Sequence, residues 1–162
     1  MIKIAVLGYG TVGSGVVEVI EKNKDMVNKK AGEELSIKYI LDLRDFPGDP
    51  YESKVVHDYQ TIVNDPEIQI ICETMGGTGA AYEFTKQALQ AGKSVCTSNK
   101  ELVAAHGPEL LTMAKEHKWN YLFEASVGGG IPIIRPLNYS LTAERIESIT
   151  GIVNGTTNYI LS

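Results

Sequence analysis

The sequence predicts an α/β protein built on a doubly wound parallel sheet, and three observations support this fold class. Short runs of apolar and β-branched residues alternate with segments that repeat apolar residues at helical spacing. Several apolar runs end directly in glycines, as at 8–13, 76–79 and 128–130. The composition, 43% hydrophobic and 22% charged over 162 residues, is that of a globular chain long enough to bury a core.

The individual elements follow from residue pattern and from turn-forming residues. Residues 2–7 form a short run that is rich in β-branched residues and leads straight into glycines, which indicates a buried strand. Residues 11–29 repeat valine and isoleucine at helical spacing, with charged residues on the other face, which indicates a helix. Residues 42–54 contain two prolines and a glycine and predict a loop. The same criteria predict further strands at 36–41, 68–74, 94–97, 120–124 and 146–153, and further helices at 58–64, 80–91 (with Gly92 as C-cap), 108–118 (with Pro108 in the first turn) and 133–139.

Charge and composition argue against several classes of function. Lys plus Arg number 15 and Asp plus Glu 20, so the chain carries a formal charge of −5 and no basic block for nucleic acid or anionic membranes. No apolar run approaches the roughly 20 residues that span a bilayer, and the N-terminal apolar run is broken by glycine too early for a signal peptide. Cys72 and Cys96 fall in predicted strands and are expected to be packing thiols. We therefore expect a cytosolic enzyme or a fragment of one.

The turn after the first strand reads GYGTVG at 8–13, a G-x-G-x-x-G motif between a strand and a helix. The first glycine allows a tight turn, the second admits a pyrophosphate against the backbone, and the third lets helix and strand pack closely. The motif predicts a dinucleotide site at the helix N-terminus. Asp42 ends the second strand, where an acidic residue binds ribose hydroxyls, whereas Arg44 suits a 2′-phosphate, so NAD and NADP both remain open.

Other polar and glycine-rich stretches also follow predicted strands, where doubly wound sheets bind ligands. Residues 74–77 and 98–100 are two of them. Lys100 is placed to donate to a substrate oxygen or to take part in proton transfer, although position alone fits a surface lysine equally well. The glycine run after Glu124 can aim carbonyls at a cation or act as a hinge, and the residues alone favour the hinge.

Five motifs together resemble those of the homoserine dehydrogenases. They are GYGTVG at 8–13, ETMGG at 73–77, VCTSNKELVA at 95–104, EASVGGGIPIIRPL at 124–137 and GIVNGTTNYIL at 151–161. The resemblance implies NAD- or NADP-dependent hydride transfer between L-homoserine and L-aspartate 4-semialdehyde, in the pathway to threonine, isoleucine and methionine. It also implies a cytoplasmic enzyme that forms a homo-oligomer when complete.

The same resemblance assigns residues. Lys100 matches the family's first active-site lysine, and Thr156 would approach the substrate. Ser98 stands where the family more often has alanine. A monovalent-cation site, Na⁺ in the family, replaces the hinge and would comprise Glu124, Val127, Gly129 and Ile131. The implied cofactor contacts are Gly8, Gly10, Thr11, Val12, Gly13, Arg44, Thr74, Ser98, Lys100 and Gly155, with Arg44 at the position that meets the 2′-phosphate.

The resemblance also implies a longer protein. We expect a dinucleotide-binding domain over 1–130 and, over 131–162, the incomplete beginning of a substrate and dimerisation domain. Such a piece should bind cofactor and turn over little or no substrate alone. One alternative is a stand-alone NAD(P)-binding module that senses redox state without catalysis. Another is a semialdehyde or sugar dehydrogenase, although a phosphorylating semialdehyde dehydrogenase needs a nucleophilic cysteine and both cysteines fall inside strands.

Overall fold

Six parallel strands form the central sheet of the computed structural model, which describes residues 1–151. The strands are β1 Ile2–Leu7, β2 Leu35–Leu41, β3 Val55–Val56, β4 Ile68–Glu73, β5 Ser94–Thr97 and β6 Tyr121–Leu122. Their spatial order is β3-β2-β1-β4-β5-β6, with every neighbouring pair parallel. The order reverses between β1 and β4, and this switch point is where doubly wound sheets bind ligands. The predicted fold class is confirmed.

Helices cover both faces of the sheet. They are α1 Thr11–Lys22, α2 Lys24–Ala31, α3 Tyr59–Val63, α4 Gly79–Gln90, α5 Lys100–His117 and α6 Ala125–Gly128, with a 3₁₀ turn at Glu52–Lys54 and a π-helical turn at Pro136–Ser140. Successive residues of β1 point to opposite faces: Ile4 and Val6 pack with Val17 of α1, whereas Ala5 and Leu7 pack with α3, α4 and α5. Burial on both faces explains why β1 is continuously apolar from Ile4 to Leu7. Within residues 1–151, no helix is both long and apolar enough to cross a membrane.

Two predicted helices have different boundaries in the structure. The helix predicted over 11–29 is divided into α1 and α2 at Asn23, which is the C-cap of the first and the N-cap of the second. Asparagine favours such cap positions over helix interiors. The helix predicted from Pro108 begins at Lys100, because the Asn99 side chain accepts the N–H of Leu102 and caps it there. Pro108 therefore lies inside α5, and its first-turn placement was wrong.

The C-terminal predictions are confirmed only in part. The strand predicted over 120–124 is limited to β6, and the predicted helix over 133–139 is observed as a helical segment that contains the π-helical turn. The described part of the strand predicted at 146–153, residues 146–151, forms no strand. Ile146 and Ile149 are 46% and 74% exposed, and residues 146–151 gain no sheet neighbour within the described chain.

The two cysteines lie side by side in the sheet. Cys72 of β4 and Cys96 of β5 are register partners, and both are free thiols with their sulfurs 3.4 Å apart. Cys72 is buried and Cys96 is half-buried. Their predicted place inside strands is confirmed.

Candidate functional site

The glycine turn lies at the switch point of the sheet. Gly8 has φ +90°, a conformation that favours glycine, and it makes the tight turn out of β1. A Cβ on Gly13 would lie 1.8 Å from the carbonyl oxygen of Gly8, so only glycine permits this packing of α1. A Cβ on Gly10 would meet nothing within 4 Å among residues 1–151, so the surface above Gly10 is open. The arrangement leaves room for a phosphate at the N-terminus of α1.

Thr74 fastens the end of β4 to this turn. Its backbone N–H donates to the carbonyl oxygen of Leu7 at 2.9 Å. Its hydroxyl lies 2.9 Å from the same oxygen and 3.0 Å from the carbonyl oxygen of Gly8. The hydroxyl of Thr74 thus stabilises the glycine turn by hydrogen bonds to its backbone, a contact that the sequence did not indicate.

A cleft of about 570 Å³ opens above the carboxyl ends of β1, β2 and β4. It brings together four of the predicted cofactor residues, Gly8, Gly10, Arg44 and Thr74. Ser98 and Lys100 lie at the next strand end and do not line this cleft. Met75 and Gly76 of the predicted stretch 74–77 also line the cleft. Sequence reasoning missed other lining residues, which follow or face the edge of the sheet: His57, Tyr59, Ala80 and Phe84. The sequence did not mark His57, because the strand that precedes it, β3, is only two residues long.

Asp42 and Arg44 form one electrostatic unit at the rim of the cleft. The Asp42 carboxylate accepts the N–H of Tyr9 at 2.8 Å, the N–H of Arg44 at 3.0 Å, and the Arg44 guanidinium through Nε and Nη2 at 3.0 Å each. The Arg44 side chain holds the pKa of Asp42 well below its usual range. Asp42 is 10% exposed and Arg44 63% exposed, so the carboxylate is enclosed while the guanidinium faces solvent. Arg44 also lies 5.1 Å above the ring of Phe46.

The N-terminus of α5 places Lys100 beside the loop that follows β4. Lys100 is the first residue of α5 and is exposed. The preceding residue, Asn99, accepts the N–H of Leu102 at 3.1 Å and donates from Nδ2 to the carbonyl oxygen of Gly77 at 2.7 Å. The register of β4 and β5 pairs Glu73 with Thr97. The two predicted stretches at 74–77 and 98–100 are therefore neighbours.

Glu124 acts as a cap for the helical segment that follows it. Its carboxylate accepts the N–H groups of Ile133, Ile134 at 2.9 Å and Arg135 at 2.8 Å. These hydrogen bonds, that of Ile133 first, lower the pKa of Glu124. The carboxylate is thus kept charged beside the glycine run.

The predicted cation site surrounds Glu124, at the start of the described helical and glycine-rich segment. Among residues 1–151 no group of three or more His, Cys, Asp or Glu side chains is placed to hold a metal ion. Val127 lies in α6, and Gly129, at φ +60°, and Ile131 follow that helix; all three residues are exposed. Main-chain carbonyl oxygens are donors that hard cations take, whereas the Glu124 oxygens already accept three N–H groups. Gly155 and Thr156, the remaining predicted site residues, lie outside the described residues.

Comparison with known proteins gives two family matches. The model of the homoserine dehydrogenase NAD-binding domain matches residues 8–124. A second model, described as homoserine dehydrogenase, matches residues 132–162.

Individual relatives align with nearly the whole of this chain. Homoserine dehydrogenases of Bacillus subtilis and Synechocystis are 40% and 44% identical to it, over 99% of this chain and over 38% and 37% of their own lengths. The crystal structure of a homoserine dehydrogenase from Thiobacillus denitrificans superposes with a TM-score of 0.90 at 40% identity, over 99% of this chain and 38% of that one. A hyperthermophilic archaeal homoserine dehydrogenase in complex with NADPH gives a TM-score of 0.69 at 28% identity, over 84% of this chain and 47% of that one. The chain thus spans less than two fifths of the length of these curated relatives.

Proposed function

The chain belongs to the homoserine dehydrogenase family, and we propose that it is the cofactor-binding part of an enzyme that transfers hydride between L-homoserine and L-aspartate 4-semialdehyde. The observation that carries the proposal is the glycine turn at the switch point of the sheet. In this turn Gly13 packs closely against Gly8, while the surface above Gly10 is open for a phosphate. The proposal includes a cytoplasmic homo-oligomer that serves threonine, isoleucine and methionine synthesis. It also includes the division into a dinucleotide domain over 1–130 and the beginning of a second domain over 131–162.

The residues of the cleft fit a dinucleotide. The backbone of Gly8, Gly10, Thr11, Val12 and Gly13 would hold the pyrophosphate, because the first turn of α1 directs N–H groups and the positive end of the helix dipole toward it. When bound, the nicotinamide supplies or accepts the hydride. The protein's part is to orient that ring against the substrate and to exclude water.

Arg44 supports NADP(H) as the preferred cofactor. Its guanidinium is exposed at the rim of the cleft, where a 2′-phosphate would add a charge-assisted contact. The Asp42 oxygens already accept hydrogen bonds from Tyr9 and Arg44, so a ribose hydroxyl would have to compete with them. Asp42 therefore orients Arg44 and does not itself bind the ribose.

Lys100 is assigned the proton-handling role. Lys100 is the first residue of α5, is exposed and follows Asn99, which bonds to the loop after β4. Its ammonium would donate to the oxygen that becomes an alkoxide or carbonyl during hydride transfer. Ser98 and Thr74 would line the nicotinamide side, and Gly155 and Thr156 would approach cofactor and substrate. A monovalent cation would be held by main-chain oxygens of Val127, Gly129 and Ile131 and balanced by Glu124.

Titration of this chain with NADPH and, separately, NADH tests the proposal, with nicotinamide fluorescence as the readout. We expect saturable binding of both and tighter binding of NADPH. The chain alone should show little or no oxidation of L-homoserine. Failure to bind either dinucleotide would overturn the assignment of the glycine turn, and turnover of homoserine by the isolated chain would overturn its assignment as the cofactor-binding part.

A further inference from the structure

A carboxyl group is buried at the end of β4, directly beneath the predicted nicotinamide side of the site. Glu73 has no exposed surface. One of its carboxyl oxygens accepts the N–H of Met75 at 2.7 Å, and the other accepts the hydroxyl of Thr97 on β5. Burial raises the pKa of Glu73 and hydrogen bonds, that of Thr97 first, oppose the rise. A buried carboxyl costs free energy unless it is hydrogen-bonded, so these partners are required for the fold to tolerate it.

The hydrogen bonds of Glu73 continue into the first turn of α5. The Thr97 hydroxyl, which donates to Glu73, accepts the N–H of Asn99 at 2.9 Å. Asn99 in turn caps α5 through Leu102 and donates to the carbonyl oxygen of Gly77. Thr97 and Asn99 are themselves only 4% and 7% exposed. This chain of bonds, which we call the Glu73 relay (Glu73, Thr97 and Asn99), leads directly to Lys100.

The residue that follows β4 connects its end to the glycine turn. Thr74 bonds to the carbonyl oxygens of Leu7 and Gly8, on the side of β1. Adjacent residues therefore fasten the end of β4 to the glycine turn on one side and to the N-terminus of α5 on the other. The separation between the pyrophosphate turn and Lys100 is set through this pair of residues.

We propose that Glu73 is a positioning residue that fixes Lys100 relative to the bound dinucleotide through the Glu73 relay. The inference rests on the proposed function, because it presumes that a dinucleotide occupies the cleft. It predicts that loss of any bond in the relay lets the first turn of α5 shift while the sheet and the far end of the helix stay in place. Glu73 does not itself touch substrate or cofactor in this assignment.

Three single variants and one double variant separate positioning from general packing. Glu73→Gln keeps the volume and one oxygen acceptor for the N–H of Met75, but it places an NH2 group where the Thr97 hydroxyl donates, so that hydroxyl loses its acceptor. Thr97→Val keeps the shape and removes the hydroxyl, whereas Thr97→Ser retains it. The double variant of Glu73→Gln with Thr97→Val should lose no more than either single variant, because both break the same relay.

The readout is the rate at which an amine-reactive ester acylates Lys100 in this chain, with and without saturating NADPH, followed by mass spectrometry. Lys115, at the other end of α5, is the internal reference. In the wild-type chain we expect bound NADPH to slow acylation of Lys100 by about tenfold and to leave Lys115 unchanged. Glu73→Gln and Thr97→Val should lose most of this protection, and Thr97→Ser should keep it.

Hydrogen exchange supplies the second measurement. Glu73→Gln should raise the exchange of the Leu102 amide, which Asn99 caps, without raising exchange over 109–117. If Glu73→Gln unfolds the chain, the Thr97→Val and Thr97→Ser pair decides the question. A wild-type chain that binds no NADPH contradicts the proposed function itself. Binding with unprotected Lys100, or equal protection in wild type, Glu73→Gln and Thr97→Val, overturns the positioning role alone.

Discussion

Gly10→Ala is expected to abolish most dinucleotide affinity and to leave the fold intact. Gly10 has φ −82° and ψ −162°, an extended conformation open to alanine, and its added Cβ would meet nothing within 4 Å among residues 1–151. The free chain therefore accommodates the methyl group. A pyrophosphate seated on the turn does not, because the methyl occupies the space through which phosphate oxygens reach the N–H groups of α1.

The magnitude follows from the hydrogen bonds at stake. Each N–H bond to a charged phosphate contributes about 1.5–3 kcal/mol, so weakening one or two of them costs about 2–3 kcal/mol. The dissociation constant for NADPH should rise by about 30- to 140-fold. The free energy of unfolding should fall by no more than about 1 kcal/mol, because the one cost to the free chain is that alanine is a poorer N-cap than glycine.

Gly15→Ala is the matched control. Gly15 also lies in α1, and a Cβ there would likewise meet nothing within 4 Å among residues 1–151. Alanine in a helix interior is favoured over glycine by about 1 kcal/mol, so this variant should melt higher and bind NADPH as the wild type does. Fluorescence titration and thermal melting measure both quantities. A folded Gly10→Ala chain with wild-type affinity would refute the placement of the pyrophosphate.

Three further outcomes are expected. Gly13→Ala should unfold the chain or lower its Tm sharply, because the new Cβ would lie 1.8 Å from the Gly8 carbonyl oxygen, and circular dichroism during heating measures this loss. Arg44→Gln should weaken NADPH binding by about tenfold or more and leave NADH binding nearly unchanged, a difference that parallel titrations detect; equal losses for both cofactors would contradict a 2′-phosphate contact. The pKa of Asp42 is depressed in the folded chain, so its stabilising effect is complete above the unfolded value of about 3.9 and is lost as the pH falls through the folded value. Asp42→Asn should therefore lower Tm at pH 7, and the gap to wild type should narrow on acidification; a gap that stays constant with pH would contradict the ionic role.

Local pattern was sufficient to predict most of the fold. The buried strands β1 and β4 are mostly apolar and rich in isoleucine, and the glycine turn follows the first of them, so strand, turn and helix were each marked by their own residues. The boundaries at Asn23 and Asn99 depend on single capping residues that also occur in loops. A two-residue edge strand such as β3 is too short to leave a periodic signal.

The functional site could be predicted from the sequence only where the residues that contact each other lie within one motif. The glycine turn carries its packing partner, Gly13, within the motif. The Glu73 relay depends instead on the register between β4 and β5, which no local pattern specifies. One signal was available: Glu73 is the one charged residue of the strand predicted over 68–74, and a buried charged residue needs a partner. The sequence likewise did not indicate that Arg44 donates a hydrogen bond to Asp42, although both residues had been singled out.

The central place of β1 has a consequence for synthesis on the ribosome. β1 precedes all the other strands in the chain, yet one of its two neighbours is β4, and the Thr74 hydroxyl that fastens to Leu7 lies 67 residues further along. At a synthesis rate of about 5–20 residues per second, one edge of β1 has no partner strand for about 3–13 seconds. During that interval a nascent β1-β2 pair displays an apolar, unpaired edge of the kind that invites wrong pairing. The emergence of β4 ends this exposure, so substitutions that weaken β4 should lower the yield of folded chain more than their effect on the finished protein suggests.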